Sequence, residues 1–216
     1  LTVRHLTLHL DNLPAAFSGL KIVHLSDLHG KSFGKDQRTI VDKIKAVKPD
    51  LIVFTGDLID RQHGGAQAGL KLLEQLIEIA PVYYVTGNHE GWAGNFDSLR
   101  PQLEKRQVKV LSNTHHRLCR GKDTIYILGI DDPALQPKSY GQAELVRGEL
   151  KAALEGSDGF TILLAHRPEL IETYSQFEID LVFSGHAHGG QIRLPFFLPL
   201  HFPLNPAQLK PTGRSW

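Results

Sequence analysis

Apolar and polar positions along the chain alternate between two periods. Val3 to Leu10 alternates with period two, which predicts a short amphipathic strand. Short apolar runs at Leu20–Leu25, Leu51–Phe54, Val82–Val85, Phe160–Leu164 and Leu181–Phe183 predict buried strands. Val108–Leu111, Arg117–Cys119 and Thr124–Ile130 read as further strands. Between them, Asp36–Val47, Ala66–Ala80, Phe96–Lys105 and Gln142–Leu154 carry apolar residues at helical spacing, and Pro49 and Pro81 end the first two. Strands alternating with helices predict an α/β fold. No internal repeat or long linker divides the chain, so residues 1–216 are expected to form a single domain. Pro195, Pro199, Pro203, Pro206 and Pro211 mark an extended or coiled tail.

Composition narrows the classes. The 216 residues are 41% hydrophobic and 22% charged, an ordinary globular balance. Net charge is +1 with dispersed Lys and Arg, so no nucleic-acid partner is expected. Cys119 is the single cysteine, which excludes an intrachain disulfide and a Cys-rich metal knuckle. No apolar run approaches the ~20 residues of a membrane span. Met is absent, so the chain reads as a fragment or processed form, with room upstream for a targeting or anchor segment. Cytoplasmic and peripheral-membrane locations both stay open. A monomer is expected.

Histidine is abundant, with twelve residues, and its placement carries the chemistry. The apolar strands end in turns that present Asp27 and His29, Asp57, Asn88 and His89, His166, and His186 and His188. Ligands of α/β sheets sit where strands end and loops begin. If those ends lie side by side, imidazole, carboxylate and amide oxygen meet on one rim. That mixture suits borderline divalent metals. Asp27/His29 and His186/His188 are two residues apart, so extended backbone would project each pair to one face. Gly56, Gly87 and Gly185 precede these residues and leave room for close approach. A lone Asp or His at a strand end is ordinarily a turn former; eight together point to a metal site.

Asp27-Leu28-His29, Gly56-Asp57-Leu58-Ile59-Asp60-Arg61, Gly87-Asn88-His89-Glu90, His166 and Gly185-His186-Ala187-His188 resemble, in order, the five motifs of the calcineurin-like metallophosphoesterase family. Gly189-Gly190-Gln191-Ile192-Arg193-Leu194-Pro195 is similar to a bacterial, often membrane-associated branch. The resemblance implies a four-layer α/β/β/α sandwich with mixed sheets and two divalent cations (Mn, Fe, Zn or Ni). It implies Asp27, His29, Asp57 and His188 on one metal, and Asp57, Asn88, His166 and His186 on the other, with Asp57 bridging. His89 would protonate the leaving oxygen or steady the phosphoryl group. Asp60 and Glu90 stand where they would orient the His and Asn ligands. Two cations would clamp a phosphate ester and supply a hydroxide for in-line attack. The implied activity is a phosphoesterase, with phosphodiesters favoured by the branch resemblance. Alternatives are a nucleotide or lipid-linked pyrophosphate hydrolase and a non-catalytic scaffold. The branch continues past its last motif into further strands, so this chain is expected to be truncated or to carry a smaller second sheet.

Other residues have two readings. His24 is expected in the core or on the second sheet, His5 and His9 in solvent, and His115-His116 in a polar turn. His63, Trp92, Arg61, Arg167 and Arg193 can serve substrate or structure. Leu194–Leu200 can dock on a lipid surface or cover a sheet edge.

Overall fold

The computed structural model describes residues 1–61, 65–136 and 141–188. His63, Arg193, the Gly189–Pro195 motif, the apolar Leu194–Leu200 segment and the Pro-rich tail lie outside them.

Two four-stranded sheets face one another. β1 (Ile22–Leu25), β2 (Leu51–Thr55), β3 (Val82–Val85) and β4 (Lys109–Val110) form the first, in that order and parallel throughout. β5 (Thr114–Arg120), β6 (Asp123–Gly129), β7 (Phe160–Leu164) and β8 (Leu181–Phe183) form the second. There β5 runs antiparallel to β6 and the other pairs are parallel.

The central strands are buried on both faces, which explains their unbroken apolar runs. In β2, Leu51 and Val53 point between the sheets while Ile52 and Phe54 point outward. β3 repeats the pattern with Tyr83 and Val85 inward, Val82 and Tyr84 outward. Ile125, Ile127, Phe160, Ile162 and Leu164 meet them from the second sheet. α1 (Arg38–Val47), α2 (Ala66–Leu76), α3 (Asn88–Ala93) and α4 (Phe96–Lys105) accompany the first sheet. Of these, α1, α2 and α4 bury apolar stripes on its outer face. α5 (Gln142–Leu154) and α6 (Ile171–Tyr174) cover the second. The layers are therefore α/β/β/α. Among the described residues no helix is long and apolar enough to cross a membrane.

Some expectations change. Residues 1–10 form no strand, and residues 1–9 are exposed. Their alternation has no sheet partner among the described residues, and a strand without a ladder or a covered face gains too little to form. The helix expected to Ala80 stops at Leu76, with Ile79 and Ala80 amides turning back to the Leu76 carbonyl ahead of Pro81. His115 and His116 lie within β5, paired along its length to β6, and not in a turn.

Behind β6, Glu149 of α5 is buried with Oε2 unpartnered, while Oε1 accepts a bond from Asn113 at 3.3 Å. Burial and then the Asp131 charge push its carboxyl up to about 7. The fold therefore holds a proton that the unfolded chain releases near the usual carboxylate range. This contribution to stability is full at acid pH and is lost as pH rises towards 7. Glu149→Gln is expected to remove that dependence and to be more stable than the native chain at pH 8 by about 1–2 kcal/mol. Urea unfolding of both proteins from pH 5 to 8 checks it; a difference that does not vary with pH contradicts it.

Candidate metal centre

The loops that leave β1, β2 and β3 in the first sheet, and β7 and β8 in the second, meet at one end of the sandwich. Backbone bonds join them. The amides of Asp27, His29 and Gly30 donate to the carbonyls of Gly56, Asp57 and Leu58 at 2.9–3.0 Å. The Gly185 amide donates to the His166 carbonyl at 3.1 Å, and the His186 amide donates to the Asp27 carboxylate at 3.1 Å.

The side chains do not converge through extended backbone. Asp27, His29, Asp57, His186 and His188 all have positive φ, between 48° and 63°. Asp and His tolerate this region better than bulkier side chains, though at some cost. A tight turn at each position aims the side chain inward. Gly185 packs closely: a Cβ there would overlap Ser26 Oγ and lie 2.9 Å from Asp27 Oδ2.

The donor atoms form groups that share members. Asp27, His29 and His188 place ligand atoms within 4.8 Å of one another, as do Asp57, His166 and His186, and also His29, Asp57 and His89. Asp57 Oδ2 lies 3.7 Å from His29 Nε2 and 3.3 Å from His166 Nε2. Its other oxygen accepts the His89 amide at 2.8 Å, so Oδ2 faces both groups. Asn88 Oδ1 stands 3.0 Å from His166 Nε2. Asp57, Asn88 and His166 are at most 2% exposed.

This chemistry fits a cation. His166 Nδ1 lies 2.6 Å from the Thr55 carbonyl, which can only accept, so the ring proton sits on Nδ1. Nε2 then points a lone pair at two oxygens. Without a cation that nitrogen must be protonated, and Asp57, by hydrogen bond and charge, outweighs burial to hold the imidazole up at about 9. His29 and His188 bring their Nε2 atoms within 3.2 Å of each other beside Asp27, and His29 Nδ1 is buried without a partner. Burial, together with the neighbouring His89 and His188 imidazoles, lowers His29 against the Asp57 charge. Burial followed by His166 and Arg167 lowers His186. Burial would raise Asp57, but the hydrogen bond and charge of His166 hold it low.

His89 is arranged the other way. Its Nδ1 accepts the Arg61 amide at 3.0 Å, so in the neutral ring Nε2 carries the proton. Asp60 Oδ2 is 3.9 Å from the same Nδ1.

Glu90 sits behind the donors. Its hydrogen bonds go to backbone amides. It is fully buried, and its oxygens accept the amides of Gly87, Asp57, Leu58 and Ile59 at 2.7–3.2 Å. The bond to Gly87 is a helix-start glutamate reaching back to the residue before α3. Burial and the Asp57 charge raise its carboxyl, and the amides oppose that. A second brace was not legible in the sequence. Arg167, next to His166, forks onto Asp132 at 2.7 and 3.1 Å, and the Asp132 amide donates to Thr86 Oγ1, two residues before Asn88. The one signal for it was the acidic pair Asp131-Asp132 just after β6, of which Asp132 is buried and Asp131 half-buried.

The family model for calcineurin-like phosphoesterases matches residues 20–190. The chain belongs to this family. Its relatives span bacteria and animals. It is 33% identical to the metallophosphoesterase YkuE of Bacillus subtilis, over 94% of this chain and 69% of that protein. It is 32% identical to a transmembrane protein with metallophosphoesterase domain of Danio rerio, over 91% of this chain and 46% of that one. The chain thus spans about half the length of its transmembrane relative. The crystal structure of TT1561 of Thermus thermophilus shares the fold, with TM-score 0.59 and 18% identity over 76% of this chain and 81% of that one.

Residues with two readings now have places. His24 lies on β1, facing the second sheet: Nε2 is 2.7 Å from Thr55 Oγ1 and the ring packs against Phe183. His115 contacts the Ala153 carbonyl, and His116 contacts Tyr83 and Lys109; neither touches the metal donors. Arg61 and Trp92 lie beside His89.

Glu90→Gln keeps the shape but replaces an acceptor oxygen with a donor facing amide N–H groups. It is expected to lower stability by about 3 kcal/mol and to reduce metal retention. Urea unfolding and elemental analysis after dialysis check this; native stability in the variant contradicts it.

Proposed function

We propose that the chain is a dinuclear metal-dependent phosphodiesterase. The observation that carries the reading is the shared Asp57 Oδ2, which faces His29 on one side and His166 on the other. Asp27, His29, Asp57 and His188 would hold one cation, and Asp57, Asn88, His166 and His186 the second. Bound there, two divalent cations supply charge to clamp phosphoryl oxygens and to acidify a water.

The chain's own residues do the rest. The Thr55 carbonyl fixes the His166 ring so that Nε2 faces the centre. Glu90 and the Arg167–Asp132 fork hold the loops on which Asp57, Asn88 and His166 ride. His89 is poised as a hydrogen-bond donor: its Nδ1 is occupied by the Arg61 amide, and Nε2–H can donate to the departing ester oxygen and stabilise the charge that develops there. Preference for diesters over monoesters rests on the similarity of the Gly189–Pro195 segment to the membrane-associated branch.

Purified chain is expected to bind about two Mn²⁺ per molecule and to hydrolyse bis(p-nitrophenyl) phosphate faster than p-nitrophenyl phosphate. Chelation should abolish turnover and Mn²⁺ restore it. His89→Ala should retain metal and lose about 10²–10³-fold in kcat. Metal-independent turnover, or full activity in Asp57→Ala, contradicts the reading.

A further inference from the structure

The described residues with large exposed apolar side chains are Leu1, Val3, Leu6, Leu8 and Trp92. Four belong to the N-terminal segment. Trp92 is 47% exposed, at the rim of the metal centre. Its position follows from the helix that carries it. α3 presents Asn88 and His89 in its first turn, and Trp92 comes four and three residues later. Residues at those spacings share a helix face. The Trp92 and His89 ring centroids are 5.2 Å apart, with planes inclined by 47°. The Arg61 guanidinium carbon lies over the indole ring, 5.8 Å from its centroid, and the Arg61 amide is the group bonded to His89 Nδ1.

The placement is rigid on its inner side. A Cβ at Gly91 would lie 2.5 Å from the Ala134 carbonyl carbon and oxygen, so α3 is seated directly on that backbone. The indole is therefore held outward by main-chain packing. Nearly half of the indole stays in water beside the hydrogen-bond-donating His89 imidazole, and it is a ready stacking surface.

Resting on the phosphoesterase reading above, we propose that Trp92, flanked by Arg61, is the floor of the leaving-group subsite and takes a leaving group that carries a planar aromatic ring. The side of the reaction follows from His89. Its Nε2–H serves the departing oxygen, so the surface next to His89 lies under whatever that oxygen carries. An indole stacks on any planar ring without reading hydrogen bonds, which gives affinity for a class of leaving group.

The test uses the metal-loaded full chain, Trp92→Ala and Trp92→Phe. Methyl phenyl phosphate and methyl butyl phosphate differ only in the second ester group, released as phenol or as butanol. Trp92→Ala is expected to raise KM for the phenyl ester about tenfold with a much smaller change in kcat. The phenyl-over-butyl preference in kcat/KM should fall by a similar factor, and Trp92→Phe should recover most of it. Loss on both esters in equal proportion, or an unchanged preference, overturns the proposal.

A binding readout is independent of turnover. In a Trp216→Phe background, phenylphosphonate should change the remaining indole emission saturably, and butylphosphonate should not; equal responses overturn the platform. If the native chain hydrolyses neither ester but the emission responds to phenylphosphonate alone, the phosphoesterase reading fails and the aromatic platform stands. If both esters are hydrolysed and Trp92→Ala leaves the preference intact, the platform fails and the reading stands.

Discussion

The Glu90 carboxylate is fully buried and accepts amides from two different loops: Asp57, Leu58 and Ile59 after β2, and Gly87 before α3. A buried carboxylate costs several kcal/mol unless its lone pairs are filled. Here that cost is offset only while both loops keep their relative position. The constraint fixes where Asp57 stands with respect to Asn88 and His89. From Asp57 it passes to the first loop through the His29 amide on the Asp57 carbonyl, and to the second sheet through the contact between Asp57 Oδ2 and His166. Loss of one carboxylate would release three of the loops that build the centre.

Histidine does two jobs in this centre, and the backbone decides which. His166 donates its Nδ1–H in a hydrogen bond to the Thr55 carbonyl, leaving a lone pair on Nε2 for a cation. His89 Nδ1 accepts a hydrogen bond from the Arg61 amide, leaving N–H on Nε2, which in the proposed reading serves a substrate oxygen. The side chains are identical and the neighbours are opposite in kind, an acceptor in one case and a donor in the other. In the proposed reading, main-chain geometry thus separates the metal-binding imidazole from the hydrogen-bond-donating one.

Much of this was legible in the sequence because it is written locally. The runs Leu51–Phe54, Val82–Val85 and Phe160–Leu164 had to be buried on both faces, and their ends had to carry the polar residues. The set Asp27, His29, Asp57, Asn88, His89, His166, His186 and His188 followed from those ends, and the structure brings all eight to one rim. What was not legible depends on distant partners. The alternation of Val3–Leu10 is a strand pattern, but a strand needs a neighbour that the described residues do not supply. His115-His116 looks like a turn until β6 pairs with it. The left-handed backbone at Asp27 and His186 is invisible in composition, since the pair spacing suits an extended segment equally well. The role of Glu90 is carried by amides, which every residue has.

The central claim is that two cations share Asp57. Anomalous diffraction at the manganese edge from crystals of the full chain grown with Mn²⁺ tests it directly. The account predicts two peaks per molecule, roughly 3.5–4 Å apart, with Asp57 Oδ2 between them and His29 and His166 on opposite sides. A single peak, or two peaks of which one lies away from Asp57, would contradict it.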